Sequence, residues 1–205
     1  MQQFALVTTI SLSLASGAFA GMDMPVFGGP MKHIAVHLHE NMLEAHVDDS
    51  VPTPILQNYG QMYGGNASVL NDTMYNAQYG WMVEGLWAPP SGSFLWIEQI
   101  SATAGLMTYS GGTMMDPGTF DPIFGTAGSS SAIMWGGTML HNWYAVTAPG
   151  TYSATYRIYF GDINGIAIDG YEADEVTLNW TTVPTPGAVA VLGLLGAALR
   201  RRRRN

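Results

Sequence analysis

The chain has 205 residues, a formal charge of −8 and no cysteine, so disulfides, thiolate metal ligands and thiol nucleophiles are all excluded. All fifteen acidic residues lie between Asp23 and Glu175, where Lys32 and Arg157 are the only basic ones, so residues 21–182 carry a formal −13. An acidic body of this kind disfavours nucleic acid and anionic membrane surfaces, because phosphate binding needs Lys and Arg; it attracts divalent cations instead.

The first predicted element is a secretory signal peptide over residues 1–20. Phe4–Ala15 is an apolar stretch, and Ala18-Phe19-Ala20 supplies the small-x-small pattern that signal peptidase cuts before Gly21. Residues 21–182 then form one domain by length, long enough to bury a substantial core without staples.

Four of the five histidines fall within Lys32–Asp49. Pairing this stretch as a hairpin that turns at Glu40-Asn41 sets His39 against Met42, His37 against Glu44, Ala35 against His46 and His33 against Asp48. Side chains alternate across a strand, so these residues share one face. The opposite face is apolar throughout: Ile34 with Val47, Val36 with Ala45, Leu38 with Leu43. A slip of one residue would bury the histidines, so the pattern itself fixes the register. Glu-Asn is not a favoured turn dipeptide. His37 and His46, joined by His33, Asp48 or Glu44, offer a nitrogen and oxygen set suited to Zn²⁺. The competing reading is a polar strand face in water. Met22, Met24, Met31 and Met42 would suit Cu(I), but methionine is spread over the whole chain and marks no site.

Further strands are predicted at Phe94–Ile100, Gly105–Tyr109, Ala132–Trp135, His141–Thr147, Thr151–Phe160 and Glu175–Thr181. In the last two, Tyr152, Ala154, Tyr156, Ile158 and Phe160, and Val176, Leu178 and Trp180, face inward. Gly111–Ser131 reads as loop around one short strand. Gly161–Glu175 is rich in Asp and Glu but lacks calcium-loop spacing and reads as an acidic turn. At least four of the six tryptophans are expected in the core. Short strands between Gly, Pro, Ser and Asp turns predict an all-β protein, an antiparallel β-sandwich of Ig-like or jelly-roll-like kind. There is no Gly-x-Ser-x-Gly, His-Glu-x-x-His or phosphate loop, and the expectation is no catalysis.

The tail Val183-Pro184-Thr185-Pro186 leads into an apolar run over 187–199, then Arg200, Arg201, Arg202, Arg203 and Arg204. The run is shorter than the roughly 20 residues that span a bilayer as a helix. The arginines hold its end on the cytoplasmic side, so association with the inner membrane is expected to be transient. Residues 183–205 resemble the PEP-CTERM sorting signal, a Val-Pro-Glu-Pro-like box, short hydrophobic helix and arginine cluster; Thr185 stands in place of the usual Glu. The resemblance implies recognition and cleavage by an exosortase, and a cell-surface, outer-membrane-associated or extracellular product.

Residues 33–36, Glu40-Asn41 and 46–48, together with His141-Asn142-Trp143 and Ala148-Pro149-Gly150-Thr151-Tyr152, resemble bacterial surface-anchored domains of the choice-of-anchor M type. That resemblance implies metal handling, with His33, His46 and His141 as members of the site and Asp48 or His37 completing it. Three expectations follow: a structural or adhesive role at the surface or in the extracellular matrix, an extracytoplasmic Zn²⁺-binding module, or a polysaccharide-binding module using exposed aromatic rings.

Overall fold

Alternating apolar and polar residues build two sheets around a shared core. The computed structural model describes residues 24–113 and 115–183; the expected signal peptide with Ala18 and Ala20, and the tail from Pro184 through Arg204, lie outside them. The strands are β1 (Lys32–His39), β2 (Met42–Val47), β3 (Ile55–Leu56), β4 (Met74–Asn76), β5 (Tyr79–Val83), β6 (Phe94–Ala102), β7 (Met107–Gly112), β8 (Pro122–Ile123), β9 (Ala132–Trp135), β10 (Leu140–Val146), β11 (Thr151–Gly161) and β12 (Asp174–Thr182). Short 3-10 turns occupy Gly65–Leu70 and Thr126–Gly128. Among the described residues no helix is long and apolar enough to cross a membrane.

The first sheet runs β2-β1-β5-β10-β7-β8, with β4 also paired to β10; the second runs β3-β12-β11-β6-β9. The all-β class is as expected, but the purely antiparallel arrangement is not. β1 and β5 run parallel, as do β12 and β3. Both exceptions join strands far apart in the chain, where no tight turn dictates direction.

Trp81, Tyr144 and Tyr79 from the first sheet meet Tyr156 and Trp180 from the second, with ring centroids 4.5–5.6 Å apart. Ile34, Val36, Leu43, Ile97, Ile158 and Leu178 complete this core without exposure to solvent. Trp81, Trp135, Trp143 and Trp180 are all buried, the four core tryptophans expected.

A second apolar cluster lies on the outer face of the first sheet. Tyr63, Ala67 and Leu70 from the segment before β4, together with Phe120, cover Tyr75 and Trp143 there. This cover extends over β4, β10 and β7 but leaves the outer face of the β1–β2 hairpin open. The difference decides which histidines meet solvent.

The hairpin has the expected register, from Ile34 opposite Val47 to His39 opposite Met42. It extends one step further, since the Asp48 N–H donates to the His33 carbonyl at 2.9 Å. Glu40 in the turn adopts φ +58°, a left-handed conformation that disfavours residues with a Cβ. Glu40→Gly is therefore expected to raise stability by about 0.5–1 kcal/mol in urea denaturation while leaving the register intact.

Candidate metal centre

The hairpin is clamped along both strands. On one side β1 is paired to β5. On the other, the acidic turn closes the free edge of β2: Leu43 N–H donates to the Glu172 carbonyl, Glu172 N–H to the Asn41 carbonyl, and Ala45 N–H to Asp174 Oδ2 at 2.8 Å. An edge strand so capped is protected from pairing with other chains. Its outward side chains are also held on a rigid platform, as a preformed binding site requires.

Three of those side chains converge. His37, Glu44 and His46 each offer one donor atom, all lying within 4.8 Å of one another. His37 Nε2 is 2.8 Å from Glu44 Oε2, and His46 Nε2 is 3.7 Å from the same oxygen. The two imidazoles lie side by side, centroids 5.0 Å apart and planes tilted by 30°. Donors about 2.0–2.1 Å from a tetrahedral Zn²⁺ are separated by roughly 3.4 Å. The His46–Glu44 spacing is already close to that value. The His37–Glu44 contact has the length of a hydrogen bond and would open by about half an ångström.

A fourth group, Glu84, follows directly after β5. Its Oε2 is 3.9 Å from His37 Nδ1, a ring nitrogen that is buried and makes no hydrogen bond. With Nε2 turned to a metal, Nδ1–H is left to face this carboxylate, the arrangement that fixes the tautomer and raises the basicity of a histidine ligand. Glu84 was not foreseen in the sequence, because neither β5 nor its place beside β1 was.

The remaining expected ligands lie elsewhere. Asp48 Oδ1 accepts hydrogen bonds from the Ser50 N–H at 2.9 Å and the Ser50 hydroxyl at 2.6 Å, which hold its carboxyl below the usual carboxylate range. His39 is exposed beside the turn. His33 and His141 flank Gly80 on either side, His33 through β1 and His141 through β10. Lys32, buried at the root of the hairpin, donates from Nζ to the Asp48 carbonyl at 2.6 Å and to the Val51 carbonyl.

His141 is buried, with Nδ1 2.9 Å from the Ala77 carbonyl and Phe27 set edge-on 5.0 Å from its ring. Burial pushes its pKa below 6.5, opposed by the hydrogen bond to Ala77 and, more weakly, by the Tyr79 backbone, which lies outside hydrogen-bonding geometry. The unfolded chain therefore takes up a proton that the fold resists. The contribution of His141 to stability is full above about pH 6.5 and is lost as pH falls through the lower folded value. Urea denaturation of metal-free protein is expected to show this decline beginning near pH 6.5, above the range in which exposed carboxylates titrate.

The neighbouring residues have structural duties. Asn142 Oδ1 accepts the Gly111 N–H at 3.3 Å, and Trp143 stacks on Phe120 in the outer cluster. The Tyr152 hydroxyl donates to the Ala148 carbonyl at 2.7 Å. In the acidic turn, Asp162 Oδ1 accepts the N–H groups of Asn164 and Ile166, so that carboxylate is engaged in shaping its own loop. Compared with known proteins, the chain matches no family model and has no significant match among curated proteins or solved structures.

Proposed function

We propose that this is an exported, non-catalytic surface or matrix protein whose hairpin binds a divalent transition metal, Zn²⁺ by preference, through His37, Glu44 and His46. The observation that carries the metal reading is the convergence of two imidazole nitrogens and one carboxylate oxygen on a hairpin clamped at both edges. Two neutral histidines and one carboxylate compensate part of the ion's charge, and an exposed His46 leaves a coordination position open to water. The strongly acidic body adds a long-range attraction for the cation. Within the all-β class we read the architecture as a β-sandwich, Ig-like or jelly-roll-like; the core shared by both sheets supports this. Export, signal-peptidase and exosortase processing and the surface destination rest on residues 1–20 and 183–205, of which Val183, exposed, is the one described.

Equilibrium dialysis of the full chain against Zn²⁺ tests the metal reading. Saturable binding is expected, weakened by more than about 100-fold in His37→Ala and Glu44→Gln, since loss of a ligand should exceed the loss seen for outer partners. Affinity is expected to fall on acidification, because an imidazole binds a metal only in its deprotonated form. No saturable binding by the wild type would remove the reading.

A second reading, a polysaccharide-binding module, is favoured by one groove. Trp87, Phe94 and Trp135 line an open apolar cavity of about 360 Å³ between β5 and the edge strand β9. Tryptophan fluorescence unchanged across a panel of surface glycans would exclude it.

A further inference from the structure

Among the described residues the two sheets end in the edge strands β2, β8, β3 and β9, and the first three are closed to pairing. The acidic turn caps β2. β8 has two residues and begins at Pro122, which has no N–H; β3 also has two and follows Pro52 and Pro54. β9 is different. Its four residues, Ala132-Ile133-Met134-Trp135, include neither a charge nor a proline, and β6 pairs with one side only.

The ladder with β6 fixes which backbone groups of β9 are free. Gln99 N–H donates to the Ser131 carbonyl at 2.8 Å. Ile133 opposite Ile97 and Trp135 opposite Leu95 continue that hydrogen-bonded phase, so Ala132 and Met134 turn their N–H and C=O groups away from β6. The Ala132 N–H is taken by Ser130 Oγ at 3.1 Å. The Met134 N–H and C=O and the Ala132 C=O make no hydrogen bond to another described residue, and the Met134 side chain is exposed. Charge favours this edge as well. No charged residue occurs from Pro122 to Leu140, in a body that otherwise carries a formal −13. Glu98, opposite Ala132 on β6, is paired with Arg157 at 2.7 Å. Two copies that repel each other elsewhere can therefore approach here.

We propose that β9 is the contact through which two copies of this chain associate, the strands running antiparallel with Met134 opposite Met134. The edge is its own complement. With a two-fold axis at this residue, each Met134 N–H donates to the Met134 carbonyl of the other copy. One step out, each Gly136 N–H meets an Ala132 carbonyl, and no atom lies within 4 Å of the place a Gly136 Cβ would take. The two five-stranded sheets then become one continuous sheet. A second copy fits better than a foreign strand, because symmetry uses every free group of the edge twice. Such an isologous contact closes on itself, so association stops at the dimer. It goes beyond the metal and glycan readings and shares no residue with the hairpin centre.

Sedimentation of the full chain over a concentration series, in EDTA, tests this. A monomer–dimer equilibrium is expected. Met134→Pro removes the central N–H at a position where an edge strand tolerates proline; it is expected to weaken the dimer by about 10-fold or more with an unchanged circular dichroism spectrum. Met134→Glu sets like charges directly opposite each other and is expected to do the same without altering the backbone. Met134→Cys gives the chain its only thiol. Paired Cα atoms about 5.5 Å apart are expected to join through a short bismaleimide, whereas Thr177→Cys, exposed on β12, is not. A wild type that stays monomeric at every concentration would overturn the proposal, as would growth beyond the dimer. A dimer that both Met134 variants leave intact, or equal crosslinking at the two thiols, would place the contact elsewhere and overturn it too. Because EDTA removes metal, each of these results leaves the Zn²⁺ reading untouched.

Discussion

Trp180→Ala is expected to destabilise the protein by about 3–5 kcal/mol, the range for deleting a fully buried aromatic side chain. Trp180 is 1% exposed and reaches across from β12 to the first sheet, with its ring 5.2 Å from that of Tyr79 and 4.5 Å from that of Tyr144. The two sheets are held together at this point by packing and by one polar link: the Tyr79 hydroxyl donates to the Asn179 carbonyl at 3.0 Å and accepts the Asn179 N–H at 3.2 Å. An alanine would leave a void that neighbouring rings cannot fill without moving off their rotamers. Trp180→Phe is expected to be much milder, because it keeps a ring in place and removes an indole N–H that has no hydrogen-bond partner. Urea denaturation monitored by circular dichroism measures both. Equal losses in the two variants would show that the hole is not what matters.

Gly111→Ala is expected to be worse, abolishing cooperative folding or costing more than about 4 kcal/mol. A Cβ at Gly111 would lie 1.5 Å from the His141 carbonyl oxygen and 2.6 Å from its carbon, both backbone atoms of the neighbouring strand. Side chains can rotate away from a clash, but two strands in one sheet cannot separate without losing their hydrogen bonds. The register between β7 and β10 shifts at this point, between His141 and Trp143. Gly118 crosses the same spot, where its own Cβ would stand 2.3 Å from the Gly111 carbonyl carbon. Gly64→Ala is the control: nothing lies within 4 Å of its added Cβ, and its φ of −92° suits any residue. A change within about 0.5 kcal/mol is expected there. Thermal unfolding of the pair separates local crowding from a general intolerance of glycine replacement.

The hairpin was legible in the sequence because its two faces differ completely in polarity. Ile34, Val36, Leu43 and Ala45 are buried while His39 and His46 are exposed, so only one register satisfies both. β11 and β12 were legible for the same reason, and their inward residues were assigned correctly. β5 was not. Gly80 interrupts its pattern, and its partner β1 lies more than thirty residues earlier and runs parallel, where no turn chemistry marks the pairing.

That single omission hid most of the detail at the site. Without β5, neither Glu84 beside His37 nor Gly80 between His33 and His141 could be placed. The cover over the outer face was equally hidden. Tyr63, Ala67 and Leu70 lie in a segment with no strand alternation, yet they help bury the sheet surface that carries Trp143. The sequence therefore grouped His33, His37, His46, Asp48 and His141 as candidates for one centre. Alternation names a face, but it cannot say which part of that face another segment will cover.

The most direct measurement is diffraction from crystals of the full chain grown with Zn²⁺, recorded at the zinc absorption edge. The account predicts an anomalous peak between His37 Nε2, His46 Nε2 and Glu44 Oε2, at about 2.0–2.1 Å from each. An ordered hairpin with no zinc peak at those atoms, His37 still bonded directly to Glu44, would contradict it.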